Sequence, residues 1–439
     1  MTIRYVAPNM PIFKVHTSLL FDPHRKTFID NVSLTIDRES GLIVDVIERP
    51  GPDVEQQHEE PGSVDLRGLV CCPGLVDAHT HIFLHPYSET PSLNQMRDES
   101  LVERVIRSTN HCRAALLAGY TTYRDLGTEG LRDADVNVRD VINRGLVPGP
   151  RLFVATEALA SSGGYEIRQE NQLGGTVTPR IADVADGIYG VRAAVRRRIG
   201  AGCDIVKFYA DYRKRQLRYP PAMWPGAPAI QFPPPARERN PNLTLFSQEE
   251  MDAIVAEATD AGAPVAAHAT SSRAVTMAAS AGVTTIEHGN YAGEEGLRAM
   301  KAAGTIFVPT LAAMEKLAPA ELDAFLLNTK RAWDMGVKLA CGGDTGAFAH
   351  GDNVRELELM LNAGIPVEEV LVAATLHGWE ACGGDLCGRR FGWIGKGVAA
   401  DIVGLDADPR TASNALRKIS FVMKDGRVWK RDGVAVGMT

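Results

Sequence analysis

No C-x-x-C pair occurs in this chain of 439 residues, and its seven cysteines are an odd number. Both facts argue against a disulfide framework and make a reducing cytoplasm the expected setting. No segment approaches the uninterrupted apolar length that a membrane helix needs, and the opening "MTIRYVAPNMPIFKV" lacks the apolar core of a signal peptide. Basic surplus is also missing. A formal net charge of -7 leaves no electrostatic footprint for nucleic acid, and the "RRR" at 196–198 reads as a solvated helix face. No Gly-rich dinucleotide fingerprint follows the first buried strand, which weakens a doubly wound fold. What remains is 45% hydrophobic and 23% charged, a globular composition with enough apolar residues for a large core.

A pattern recurs through the middle of the chain: a helical stretch, a small residue with Gly, then a short apolar strand. It is seen in "CRAALLAGYTTYRDLG", "MDAIVAEATDAGAPVAAHA" and "AVTMAASAGVTTIEHG". Gly just past a helix end accepts the left-handed conformation without steric cost, and Ser247 with Glu250 forms a capping box. Strands are predicted near 75–81, 120–125, 151–155, 204–209, 264–268, 283–287, 305–309 and 337–342. Eight βα units over about 320 residues imply an α/β fold of the TIM (β/α)8 type. The two ends read instead as short β runs. They predict a small β-sandwich built from both termini, 1–70 and 391–439, around a barrel at 71–390.

Residues 211–246 break the pattern, with eight prolines and the aromatics Tyr212, Tyr219, Trp224, Phe232 and Phe246. A loop of this length after the C-terminal end of a barrel strand is expected to be an ordered lid over the substrate pocket.

The stretch "CCPGLVDAHTHIF", residues 71–83, carries the chemistry. Residues i and i+2 of a strand share a face, so His79 and His81, beside Asp77, could converge on one metal ion. Two ligands do not close a site, and the same pair could be surface histidines on an edge strand. The other candidates also fall at the C-terminal ends of predicted strands: His268 after strand five, His288 after strand six and Asp344 after strand eight. Lys207 lies in the middle of the apolar strand "CDIVKFYA". Lysine is almost never buried unpaired, so it either snorkels to the rim or is a neutral nucleophile of depressed pKa. Such an amine can take up carbon dioxide to give an anionic two-oxygen ligand.

These residues resemble a metal-dependent amidohydrolase over about 50–430. The matching motifs are "PGLVDAHTHI", "IVKFYA", "AAHA", "EHG", "GGDTG" and the return "GKGVAADIVGLDADP". "YRDLG", "KFYADY" and "DTGAFAHGDNVRELELM" resemble its prolidase-like and ochratoxinase-like branch. The resemblance implies two divalent ions, most often Zn2+, in a binuclear site. His79, His81 and Asp344 would serve one ion and His268 with His288 the other, with carboxylated Lys207 as the bridge and Asp344 as general base and acid. His350, Arg124, Tyr209 and Tyr291 are candidates for holding substrate. The substrate implied is a small amide such as an N-acyl amino acid or a dipeptide, with no nucleic-acid or membrane partner and a homo-oligomeric assembly. The branch commonly carries Gly-His-x-Asp after strand three; this chain reads "ALASSGGYEIRQE", with Tyr165 and Glu166 there. That departure leaves the metal ligands alone and bears on the substrate. The alternatives are a cyclic-amide or imidazolone-type hydrolase, a metal-dependent lyase, and a non-catalytic scaffold, though all six ligand positions are intact.

Overall fold

The structure is a computed structural model and describes residues 11–49, 62–165, 168–169, 177–212, 244–412 and 414–438. The first four strands are β1 (Ile12–Asp22), β2 (Thr27–Asp37), β3 (Leu42–Glu48) and β4 (Val64–Pro73). In β1 the residues Phe13, Val15 and Thr17 are buried on one face while the alternate positions are less so, the period-two signature of a half-covered strand. Then come β5 (Leu75–Thr80), β6 (Tyr120–Asp125), β7 (Arg151–Val154) and β8 (Ala158–Ala160). A short hairpin follows, β9 (Arg168–Gln169) with β10 (Val177–Thr178). The series continues with β11 (Ala182–Val184), β12 (Val206–Tyr209), β13 (Val265–Ser271), β14 (Thr285–Tyr291) and β15 (Ile306–Val308). The last four are β16 (Ile402–Leu405), β17 (Ile419–Lys424), β18 (Arg427–Arg431) and β19 (Val434–Ala435).

The central strands pair in parallel, as alternating helices and strands require. They run β5-β6-β7 in one sheet and β11-β8-β12-β13-β14-β15 in a second. Strands β5 and β6 are buried at every position, which fits a sheet covered on both faces. Strand three is broken into β7 and β8, with Thr156 at φ 62 between them. The predicted eighth strand at 337–342 does not form a regular strand. Its backbone instead makes single hydrogen bonds, Ala340 N–H to Phe307 O on one side and Ala78 N–H to Cys341 O on the other. Gly342 and Gly343 explain the interruption: a Cβ on Gly342 would lie 2.7 Å from the His79 backbone nitrogen. The helices bear out their predicted signals. Ser247 and Glu250 form a capping box at Gln248–Asp260, and Gly282 at φ 88 ends Ser272–Ala281.

Both termini contribute to one eight-stranded sheet, ordered β19-β18-β17-β16-β4-β1-β2-β3. Its hinge is the antiparallel pairing of β4 with β16, in register from Val70↔Leu405 to Pro73↔Ile402. Phe13, Val15, Leu34, Cys71, Ile402 and Phe421 share its small core. Of the predicted lid, 213–243 lie outside the described residues. Its ends are held, by a bridge between Asp211 and Thr244 and by Phe246 packed edge-on against Phe208. Among the described residues no helix is long and apolar enough to cross a membrane.

Candidate metal centre

β5 delivers His79, and His81 follows one residue past its end, their rings 5.4 Å apart. His79 Nδ1 lies 2.8 Å from Glu287 Oε2, and His81 Nδ1 lies 2.9 Å from the Gly127 carbonyl. Each acceptor takes the Nδ1 proton, which leaves both Nε2 lone pairs free. Those nitrogens stand 3.6 Å and 3.3 Å from Asp344 Oδ1. Ligand atoms of His79, His81 and Asp344 all fall within 4.8 Å of one another, so this trio could hold a cation. Burial, with Lys207 nearby, lowers His79 to about 4 and so keeps it in the neutral ligand form. Burial opposes charge on His81 too, but Asp344 and Glu129 outweigh it and raise that group to about 9. A carboxylate so close to an imidazole nitrogen is stabilised by positive charge between them, whether a proton or a metal ion.

Beside this trio stand Lys207 on β12, His268 on β13 and His288 on β14. The His79, His288 and His268 rings follow one another at 5.0 Å and 4.4 Å. Burial, with the neighbouring His79, lowers His288 to about 3, and burial with His288 beside it holds His268 well below the imidazole range. His288 Nδ1 meets Thr310 Oγ1 at 2.9 Å. Three non-glycine residues here adopt the left-handed backbone: His288 (φ 72), Thr310 (φ 54) and Asp344 (φ 57). Such strain persists only where surrounding packing enforces it, and it concentrates at functional sites. The Lys207 amine nitrogen is buried with no hydrogen-bond partner among the described residues, and burial lowers the group to about 8. An orphaned amine facing imidazoles and a carboxylate fits a centre that takes up a further ligand or ion.

All six predicted ligands line one cavity of about 320 Å³. The four substrate candidates fare differently. Tyr209 lines the cavity, its ring 5.4 Å from that of His268. Arg124 does not: it is fully buried beneath the histidines, donating to the Ala78 and Ala381 carbonyls, to Thr285 and to Glu287 at 2.7 Å. A guanidinium with no water available needs this many acceptors, and they lie below the cavity. His350 is buried as well, stacked on His111 at 4.3 Å and donating to the Leu84 carbonyl at 3.1 Å. Tyr291 is 42% exposed and donates to Glu321, outside the cavity lining. Asp77 turns away from the trio and accepts from Gly343 N–H, Thr345 Oγ1 and Asn353 Nδ2, which secures the turn that carries Asp344.

Glu287 was not among the predicted residues, although an acid inside the apolar strand of "TTIEHG" is the same signal that singled out Lys207. Burial works against its charge, yet Arg124 and His79 hold its carboxyl far below the usual range. Glu287→Gln is therefore expected to destabilise the fold by ~3 kcal/mol, because Arg124 is left buried without its counter-charge. It should also weaken metal affinity ~10–100-fold through the lost hold on His79. Urea unfolding and metal titration would measure the two effects separately.

Known proteins share this architecture. A model described as the amidohydrolase family matches residues 70–429. The ochratoxinase of Aspergillus niger is 28% identical over 416 residues, covering 87% of this chain and 80% of that protein. A solved Xaa-Pro dipeptidase with methionine bound in its active site superposes with a TM-score of 0.77 at 26% identity, covering 95% of this chain and 100% of that one. A prolidase complexed with N-methylphosphonate-L-proline gives 0.77 at 27% identity, over 96% of this chain and 100% of that one. Proteins of this family generally use metal ions, and the His79, His81 and Asp344 trio fits that use. The chain belongs to the amidohydrolase family and is a hydrolase acting on C–N bonds.

Proposed function

We propose that the chain hydrolyses the amide bond of a small substrate, an N-acyl amino acid, a dipeptide or a similar amide, with two divalent ions, zinc the expected metal. The observation that carries this reading is the buried Lys207 amine, without a hydrogen-bond partner among the described residues, lining one cavity with four histidines and Asp344. His79, His81 and Asp344 would hold one ion, His268 and His288 the other, and Lys207, carboxylated by carbon dioxide with loss of a proton, both. Bound there, the ions would polarise the scissile carbonyl and supply a water acidic enough to ionise near neutral pH.

The rest falls to the protein's own side chains. Asp344 accepts the attacking water's proton at its carboxylate and returns it to the leaving nitrogen. Glu287 and the Gly127 carbonyl keep His79 and His81 in the tautomer with Nε2 free. Tyr209, Tyr212, Met314 and Leu317 give the cavity an apolar wall beside His268 and His288, suited to an apolar substrate group. The scaffold belongs to the same proposal: a closed eight-stranded barrel over 71–390, with 1–70 and 391–439 forming a β-sandwich. The backbone bonds from β15 through 338–341 to β5 support that closure. A homo-oligomer in a reducing cytoplasm completes the reading, and the seven cysteines, all free, fit it.

The test is elemental analysis of metal-replete protein together with a turnover panel. About two ions per chain are expected, with N-acyl amino acids or dipeptides cleaved faster than cyclic amides and lactones. Less than one ion per chain would sink the binuclear reading, and turnover of cyclic amides alone would move the substrate class.

A further inference from the structure

The helix Val354–Asn362 carries two glutamates in different settings. Glu358 pairs with Arg355 and Arg417 near the surface, the usual use of a charge on a helix face. Glu356 is turned inward and buried, and no step of the chemistry above uses it. Its Oε2 accepts the Ala312 N–H at 2.7 Å, in the first turn of the helix Leu311–Leu317. The next amide, Ala313 N–H, donates to the carbonyl of Gly343, the residue before Asp344. Glu356 is itself anchored. Asn353, whose carbonyl accepts the Glu356 N–H, donates its side-chain amide to Asp77 on β5.

What this bracing holds is Thr310, the residue that enters the turn. Its backbone is left-handed at φ 54, a conformation that costs a β-branched side chain more than most. Gly or Asn would sit there with less strain, but neither carries a hydroxyl. Thr310 Oγ1 meets His288 Nδ1 at 2.9 Å, and by accepting that proton it leaves the Nε2 lone pair of His288 for the cavity. Strain of this kind persists only where neighbouring groups enforce it. Here the Ala312 bond to Glu356 and the Ala313 bond to Gly343 hold the turn from two sides. Of these two acceptors Glu356 is the side chain, so it is the point where a substitution can release Thr310.

We infer that Glu356 is a positioning residue: through Ala312 it fixes the left-handed Thr310, and through Thr310 the tautomer and angle of His288. It acts through these residues and holds neither metal nor substrate itself. The inference rests on the binuclear amide-hydrolase reading and names a residue that sets affinity for the ion placed on His268 and His288.

The test is zinc titration of wild type, Glu356→Leu, Glu356→Gln and Thr310→Val, with a thermal melt of each. 15N NMR of histidine-labelled, metal-free protein adds a readout that needs neither metal nor turnover. Glu356→Leu should weaken one of the two ions ~10–100-fold and leave the other unchanged. Glu356→Gln keeps an oxygen for the Ala312 N–H and should keep that affinity. Thr310→Val should match Glu356→Leu, and the double variant should be no weaker than either single, because one route carries both effects. His288 should be fixed as the Nδ1–H tautomer in wild type and become a mixture in Glu356→Leu and Thr310→Val. A Leu variant that melts earlier with both affinities intact overturns the inference and leaves Glu356 a packing residue. Additive losses in the double variant, or a Gln variant as weak as the Leu variant, overturn it too. If Glu356→Leu does not fold, Thr310→Val decides, since unchanged affinity there breaks the route. A wild type that binds a single ion counts against the binuclear reading instead, and the His288 tautomer then decides the role of Glu356.

Discussion

Lys207→Ala is expected to lose at least one of two metal ions and to cut kcat/KM by ~10³-fold or more, several kcal/mol of lost charge stabilisation. The residue sits in a strand buried at all four positions, and its amine has no hydrogen-bond partner among the described residues. A structural lysine in such a place would be paired, since an isolated buried ammonium is among the most costly groups a fold can hold. Truncation therefore removes an unsatisfied polar atom, not a supporting contact. Stability should stay within ~1 kcal/mol of wild type or rise, because the lost methylene packing is offset by the lost desolvation cost. This pairing of effects is diagnostic: metal and activity fall while the melting temperature holds. Elemental analysis, steady-state kinetics and a thermal melt on the same preparation read all three. Retention of both ions in the variant would remove Lys207 from the centre.

How far the sequence alone reaches is clear from that residue. A lysine in "CDIVKFYA" and histidines at the ends of apolar strands are legible because local pattern sets burial, and a buried polar group then demands a reason. Partners are another matter. His79 and Glu287 are 208 residues apart, and nothing in either segment announces the other. Arg124, expected to hold substrate, is instead fully buried and spends its donors on Ala78, Ala381, Thr285 and Glu287. Periodicity tells which face a strand residue takes, not how far above or below the ligands its partners lie.

The same limit governs the scaffold. Seven predicted strands lie within a few residues of observed ones, since alternating helix and strand signals are local. The eighth dissolves into single backbone bonds because Gly342 and Gly343 let the chain press against His79. At the termini the β runs were legible, but the pairing of β4 with β16, which makes one sheet of the two ends, depends on contacts more than 300 residues apart in sequence. The substrate is least legible. The Gly-His-x-Asp position is occupied by other residues, and most of the aromatic loop lies outside the described residues.

Asp344→Asn should keep the fold and much of the metal while lowering kcat ~10²–10⁴-fold, with KM little changed. Its backbone, at φ 57, is one that Asn adopts with the same ease as Asp, so the substitution adds no strain. The turn that carries it is fixed independently: Asp77 accepts from Gly343 N–H and Thr345 Oγ1, and Thr345 N–H donates to the His79 carbonyl. An Asn oxygen can therefore occupy the place of Oδ1, 3.3 Å from His81 Nε2, and still act as a neutral ligand. What the amide lacks is basicity. The Asp344 carboxyl is held far below the usual range because His79, His81 and His288 outweigh the effect of burial, so it remains an acceptor throughout the working pH range. A neutral amide accepts no proton from water and returns none to the leaving nitrogen. The defect should therefore fall on the chemical step, and substrates with a better leaving group, such as p-nitroanilides, should suffer less than alkyl amides. Metal content near wild type with kcat reduced assigns Asp344 the proton; a near-normal kcat would hand that role to another group.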